Sequence, residues 1–585
     1  MIRLILISIQ LLTIVAIVTS LSLSSSSSLS SSLHRCHRII LKDTKRNPES
    51  GSYDFSFWSK AFISQPNEFS YTINDIIGTI PTDLSGSLYR AMPALFERGN
   101  KQYGHYLDGD GYIVKLTIGN NGSVSFKSKY VKTKEYQEEQ AAGKILYRST
   151  FRTQRDSNII ANTICLNNAF DLKLKNGANT NVIYWNDSLR VLFEAGVPHQ
   201  LDPITLDTIG EDDLNLGKQL KSGMSVLVPQ LKDMFPDLHD ALFGASMTAH
   251  PKIVKDRLIG WTWRAKVGSS PLDTQPQMYF HEWDSNMKKI MPTTTHTLTS
   301  TTVSPHDFSI TENYYVLIEN RVEGNTIPYI LGTKCPADCV SIVPSKDMIL
   351  NIVSRPKKSN NINKDVEGTF KTIPLTPGFT IHSVCSWEQG SNLTLLTTAW
   401  DTETVKSGNV KGGLLGAWEG AAPKFDVIPV TLLYKTVIDT STGRLISHAP
   451  QEGMEKIIVE HPHINPEYES MKVRYVWMSM GSIEGISSPP LGYLRLDLET
   501  GTIQKWFAPL HHYCEELVIV PKSNSSKNNE DDVYLIATIF DATINKSRFA
   551  IFDGTDVEKG PITEIVLSHH LPHSLHGCFT KSIIQ

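Results

Sequence analysis

Along most of this 585-residue chain, apolar and polar positions alternate in short runs separated by turn residues. Tyr112–Ile118 leaves the tight turn Asp108-Gly-Asp-Gly111 and alternates its side chains, as a half-buried strand does. The runs Val182–Trp185, Leu189–Phe193, Tyr314–Glu319, Leu393–Ala399 and Tyr534–Phe540 behave alike. Many strands at close spacing with few helical patterns predict an all-β sandwich, barrel or propeller. No blade motif of the WD or kelch kind repeats, so periodicity alone does not choose among the three.

One stretch departs from this pattern. Between Asn215 and Gly244, Leu227, Leu231, Met234, Phe235, Leu238 and Leu242 recur at helical spacing. Pro229 and Pro236 suit the first turns of two short helices, and Gly244 suits the end of the second. The segment predicts either a helical cap packed on the core or, through residues 219–243, an apolar patch that dips into a membrane surface.

The N-terminus reads differently again. Met1-Ile-Arg3 precedes an apolar run, Leu4–Val18, that is shorter than the ~20 residues of a membrane-spanning helix and ends in the small residues Val18-Thr-Ser20. A Ser-rich, basic tract follows. The expected organisation is a signal peptide over 1–20, a possible transit segment over 21–50, and one β domain over 65–585. Signal plus transit is the arrangement of a plastid reached through the endoplasmic reticulum; secretion and an N-terminal membrane anchor are the alternatives.

Charge is nearly balanced, with 56 Lys and Arg against 60 Asp and Glu, and no block of like charges occurs. A nucleic-acid partner, which wants a basic face, is not expected. Seven cysteines are too few and too scattered for a disulfide framework. Cys335-Pro-Ala-Asp-Cys339 is either a small bridge or two free thiols, and no second pair at zinc spacing accompanies it. Five sequons begin at Asn121, Asn186, Asn392, Asn524 and Asn545 and offer glycosylation sites in a secretory path.

Chemistry concentrates in four of the 19 histidines. His250 lies in Met-Thr-Ala-His-Pro-Lys, His306 in Ser-Pro-His-Asp-Phe, His382 in Phe-Thr-Ile-His-Ser-Val-Cys-Ser-Trp-Glu, and His576 in Leu-His-Gly-Cys-Phe. Four neutral imidazoles converging on one ion hold a first-row metal and leave positions open for a small molecule, although imidazole by itself does not select iron. A metal-bound imidazole gives its other N–H to a carboxylate or carbonyl. Glu388, six residues after His382, is a candidate partner, and so are Glu194 and Glu460, because a carboxylate closing an apolar strand is costly to bury unpaired. Each also suits an exposed strand end.

The wording around these residues resembles one family across nearly the whole chain from residue 75. Gly78-Thr-Ile-Pro-Thr-Asp-Leu-Ser-Gly-Ser-Leu-Tyr-Arg90, His105-Tyr-Leu-Asp-Gly-Asp-Gly111, Ala178-Asn-Thr180, the block Glu516–Pro521, Glu530-Asp-Asp532 and the four histidine stretches are similar to those of the carotenoid cleavage oxygenases, the carotenoid cleavage dioxygenase and retinal pigment epithelial membrane protein family. The resemblance implies an all-β, seven-bladed β-propeller with a helical or loop cap forming a substrate tunnel. It implies one Fe(2+) per subunit held by His250, His306, His382 and His576, with Glu194, Glu388 and Glu460 orienting three of them. Thr180 then matches a threonine whose methyl restricts an open iron position. The implied activity is cleavage by O2 of a conjugated C=C bond of a carotenoid or apocarotenoid, giving aldehyde or ketone products. Alternatives are stilbene cleavage, non-oxidative isomerisation of a retinoid kind, and a metal-stabilised propeller that only binds lipid.

The chain departs from the family at Ala91-Met92, at Ser574-Leu575 and at His461, where the family has Asn-Gly, Gly-Phe and Phe. None removes a ligand; all bear on the substrate path. His105, His199, His461, His463, His511, His512, His569, His570 and His573 match no ligand position and read as structural or surface residues. Cys385 and Cys578, near ligands in sequence, read as packing residues.

Overall fold

The computed structural model describes residues 47–582 except 153–173, 217–245, 268–273, 302, 325–326, 331, 358–360, 408–421 and 524–528. The expected signal and transit segments up to residue 46 lie outside the described residues, as does the expected helical stretch beyond Leu216, including residues 219–243 expected to meet a membrane.

Seven predominantly antiparallel sheets of four or more strands form the blades of a β-propeller among the described residues. Their edge strands nearest the axis, in blade order, are Gly577–Thr580, Asn181–Trp185, Ser246–Met247, Ser309–Ile310, Thr380–Gln389, Val459–His463 and His512–Pro521. Strands in the middle of a blade are covered on both faces, so Asp110–Ile118 and Val533–Asp541 are buried throughout. An outer strand such as Arg444–Pro450 alternates exposed and half-buried positions.

Blades pack face to face, and each of the seven interfaces has its own apolar cluster. Tyr89, Ile113, Val182 and Val191 join blades one and two. Ile183, Leu192, Met247 and Leu258 join two and three, and Trp261, Phe280, Phe308 and Tyr315 join three and four. Val316, Leu350, Leu393 and Leu395 continue into blade five, and Val384, Leu396, Val476 and Met478 into blade six. Trp477, Tyr493, Leu517 and Leu535 reach blade seven. Leu88, Val114, Val518 and Ile536 then join seven back to one. Both chain ends latch this ring. Gly577–Thr580 pairs with Gly86–Leu95 to complete blade one, and Ile76–Gly78 pairs with Thr563–Val566 at the outer edge of blade seven.

Described residues ahead of the expected domain limit of residue 65 already pack on the propeller. The Glu49 carbonyl accepts the Ile483 N–H at 2.9 Å and the Ser482 hydroxyl at 3.0 Å. Gly51, at φ +74°, sits where an added Cβ would meet Ser482 at 2.8 Å. Trp58, Ala61 and Phe62 are buried against Phe96, Tyr106, Tyr513, Phe540 and Leu575. A few isolated aromatics carry no period, so the sequence pattern passed over them. Protein starting at residue 65 is expected to be less stable than protein starting at residue 47 by on the order of 5 kcal/mol, from the burial of Trp58 and Phe62. A comparison of urea-unfolding midpoints checks this.

No disulfide joins Cys335 to Cys339, so the small bridge is not formed. Among the described residues no helix is long and apolar enough to cross a membrane.

Candidate metal centre

Blades one, three, four and five each bring one of the four histidines to the axis. His250 follows the edge strand Ser246–Met247, and its N–H donates to Thr248 Oγ1 at 3.0 Å. His306 lies in the bend before Ser309–Ile310. His382 falls at a register irregularity in Thr380–Gln389, where its N–H turns to Thr398 Oγ1 at 3.2 Å. His576 precedes Gly577–Thr580, and its carbonyl accepts the Ala91 N–H at 2.9 Å. Gly577 is required there, because a Cβ would meet the Tyr89 carbonyl oxygen at 2.4 Å.

Together these elements bring one ring nitrogen from each histidine to within 4.8 Å of the others. Nε2 of His250 is 3.0 Å from Nε2 of His306, which is 3.3 Å from Nε2 of His382.

Carboxylates fix the opposite nitrogens of three rings. His306 Nδ1 rests against Glu194 Oε1, His382 Nδ1 is 2.5 Å from Glu460 Oε2, and His576 Nδ1 is 2.7 Å from Glu516 Oε1. With Nδ1 donating, each Nε2 presents a lone pair to the centre. Neutral lone pairs crowded so closely repel unless a cation or proton sits among them, so the donor set fits a metal ion. Burial and the neighbouring imidazoles hold His250 well below the ordinary histidine range, which keeps it neutral and ready to ligate. Burial would lift Glu460, but His382 outweighs it and holds the carboxyl down to about 2. Against burial in the same way, His576 and His463 hold Glu516 well below the usual range.

The third of these carboxylates is Glu516, and the expectation of Glu388 is corrected. Glu388 shares a strand with His382, but six residues on; at ~3.3 Å per residue it lies about 20 Å along that strand. It accepts the Asn313 N–H at 3.1 Å and Asn313 Nδ2–H at 2.9 Å. Glu516 had a signal in the sequence, since Glu515-Glu516 interrupts a strand that is otherwise apolar from Leu517 to Val520. Two adjacent carboxylates on a buried strand demand partners on both of its faces.

Arg90 supplies one of those partners. Fully buried, it donates to Ser574 Oγ at 2.8 Å, to the Leu575 carbonyl at 2.7 Å and to the Glu516 carbonyl at 3.0 Å. The Ser574 hydroxyl in turn donates to Glu515 Oε2 while accepting from Arg90, so this departure from the family pattern anchors the segment that carries His576. Burial pushes the Glu515 carboxyl up to about 7, against Arg90 and Ser574. A carboxyl raised in the fold lends its stability below its ordinary value of 4.5 and loses it as pH rises through 7. Glu515→Gln is therefore expected to raise stability at pH 8 by up to about 3 kcal/mol and to leave it unchanged at pH 4, as read from urea midpoints.

Two histidines read as structural or surface residues lie beside the centre instead. His461 has φ +48°, which turns its N–H to Glu460 Oε2 at 2.6 Å, and its ring centroid is 5.6 Å from His382 and 6.0 Å from His576. His463 Nε2 is 2.9 Å from Glu516 Oε1. Thr180 is placed next to His576, whose N–H donates to its carbonyl at 3.2 Å, while the Thr180 hydroxyl donates to Asn179 Oδ1 at 3.2 Å.

The fold that carries these four histidines is shared with proteins of known structure. The profile of the retinal pigment epithelial membrane protein family matches residues 62–581, and the chain belongs to that family. It is 29% identical to the apocarotenoid-15,15'-oxygenase of Synechocystis over 92% of this chain and 98% of that one. It is 24% identical to carotenoid cleavage dioxygenase 7 of Arabidopsis thaliana, over 91% of this chain and 92% of that one. Identity to resveratrol cleavage oxygenase 1 of Botryotinia fuckeliana is also 24%, over 87% of this chain and 84% of the relative. The solved structure of cobalt-substituted Synechocystis apocarotenoid oxygenase superposes with a TM-score of 0.75, covering 91% of this chain and 100% of the other at 29% identity.

Proposed function

We propose that this protein is an Fe(II)-dependent oxygenase that cleaves a conjugated C=C bond of a carotenoid or apocarotenoid with O2 to give two carbonyl products. The carrying observation is the set of four histidines with three of their Nδ1 atoms held by Glu194, Glu460 and Glu516. Iron held by His250, His306, His382 and His576 would supply the electrons that make O2 reactive toward an alkene.

The protein's own part is positional. Four neutral imidazoles leave the full charge of a divalent ion uncompensated, and the glutamates fix their tautomers and strengthen them as donors. Thr180, whose carbonyl accepts the His576 N–H and whose hydroxyl is engaged by Asn179, would offer its methyl as a steric limit beside the metal. One C=C bond and one O2 balance two C=O bonds with no net proton, so the overall reaction calls for no proton donor or acceptor.

The test is to incubate iron-loaded protein starting at Asn47 with carotenoids, apocarotenoids and stilbenes under labelled O2, followed by mass analysis of the products. Label in both carbonyl products of a polyene supports the reading. Turnover without O2 would indicate isomerisation, and a stilbene cleaved in preference would move the substrate toward that of the Botryotinia relative. For the leader, a plastid address is supported by the apolar run Leu4–Val18 and the Ser-rich tract behind it. A fluorescent fusion of residues 1–50 found in the secretory path would instead indicate secretion.

A further inference from the structure

Of the four histidines, His250 is held differently from the rest. His306, His382 and His576 each have a carboxylate at Nδ1, whereas among the described residues His250 meets a carboxylate only through Nε2, with Glu194 Oε1 4.0 Å away. Its ring orientation must come from its own chain segment. That segment is anchored two residues on, where Lys252 Nζ lies 2.9 Å from Asp307 Oδ1.

Asp307 is itself the residue after His306, and it reaches a third ligand segment as well. Its Oδ2 accepts the N–H of Ser383, the residue after His382, at 2.9 Å, while its Oδ1 also accepts the Phe308 N–H at 2.7 Å. One buried carboxylate thus bonds to residues adjoining, or two positions beyond, three ligands from three successive blades. The neighbouring interblade cluster holds Phe308 in place, and Lys252 lies over its ring at 5.8 Å. His576 stands apart from this hub, tied instead to Ala91 and Thr180.

We infer that Asp307 is a positioning residue that sets the spacing of His250, His306 and His382 by bridging Lys252 and Ser383, serving His250 in place of the carboxylate its ring lacks. The inference rests on the proposal that these histidines hold a metal. Neutralising Asp307 leaves Lys252 without its bonded acceptor and frees the His250 segment relative to the other two. Loss of a supporting group of this kind lowers metal affinity by about 10- to 100-fold.

The test is a titration of the full-length chain and its Asp307→Asn, Lys252→Met, Lys252→Arg and Asp307→Asn/Lys252→Met variants with Co(II), following the visible absorption of the metal, with urea midpoints measured alongside. Expected are a 10- to 100-fold loss of affinity and an altered cobalt spectrum in Asp307→Asn and in Lys252→Met. Lys252→Arg should recover most of the affinity, and the double variant should be no worse than the weaker single one, because both remove the same bridge. If Asp307→Asn fails to fold, the contrast between Lys252→Met and Lys252→Arg decides. Wild-type affinity and spectrum in the folded single variants would overturn the inference. Failure of the wild type itself to bind Co(II) or iron would instead overturn the proposed function.

Discussion

Replacing His382 by alanine is expected to abolish iron binding and cleavage together while leaving the propeller folded. His382 faces two of the other three imidazoles at ring-centroid distances of 5.1 Å and the third at 5.3 Å, so its loss opens one side of the centre. It also takes from half-buried Glu460 the ring N–H donor at 2.5 Å; Thr398 Oγ1, at 2.7 Å from Oε1, and the His461 N–H, at 2.6 Å from Oε2, remain as donors. Outer partners of metal ligands are worth about 10- to 100-fold in affinity, so loss of a ligand should exceed the upper end of that range. Iron content by elemental analysis and product formation measured on the same preparation check this. Retained iron with retained cleavage would remove His382 from the ligand set. In the same assay Glu516→Gln should weaken iron binding by about 10- to 100-fold, whereas Glu388→Gln, which only loosens Asn313, should not change it.

The second large effect is on stability. Arg90→Met is expected to destabilise the protein by about 3–5 kcal/mol, the cost of breaking a buried charge network by removing one member. The guanidinium bonds Ser574, Leu575 and Glu516 and lies 3.6 Å from Glu516 Oε2. Its removal leaves Glu515 and Glu516 without the cation they share, and it removes the bonds that tie blade one to blade seven beside the C-terminal strand. Soluble yield and the urea midpoint are the measurements. The loss should shrink in Arg90→Met/Glu515→Gln, where one of the two carboxylates has been neutralised. An unchanged midpoint in Arg90→Met would show that the network carries no net stability.

How much of this was legible beforehand depended on range. The strands around Tyr112, Leu393 and Tyr534 could be read because alternation and turn residues are local properties of a few neighbours. His250, His306, His382 and His576 stood out through their surrounding words, and Glu194 and Glu460 because they close apolar runs. Glu388 was misassigned for want of a distance: nearness to His382 in sequence becomes remoteness along an extended strand. Glu516 is 60 residues from His576 and comes to it only because the last blade folds beside the C-terminal strand. Trp58 and Phe62 escaped for the same reason, since their partners Tyr513 and Phe540 lie more than 450 residues away.

By itself, then, the sequence determined an all-β chain, a set of four candidate imidazole ligands and the resemblance that joins them, because strand periodicity and residue chemistry are written position by position. Only the tertiary structure decided which carboxylate faces which imidazole, that Arg90 and Ser574 brace the His576 segment, and that Asp307 spans three blades. Those pairings are set by the closure of the ring, which brings edge strands from distant parts of the chain to a common axis.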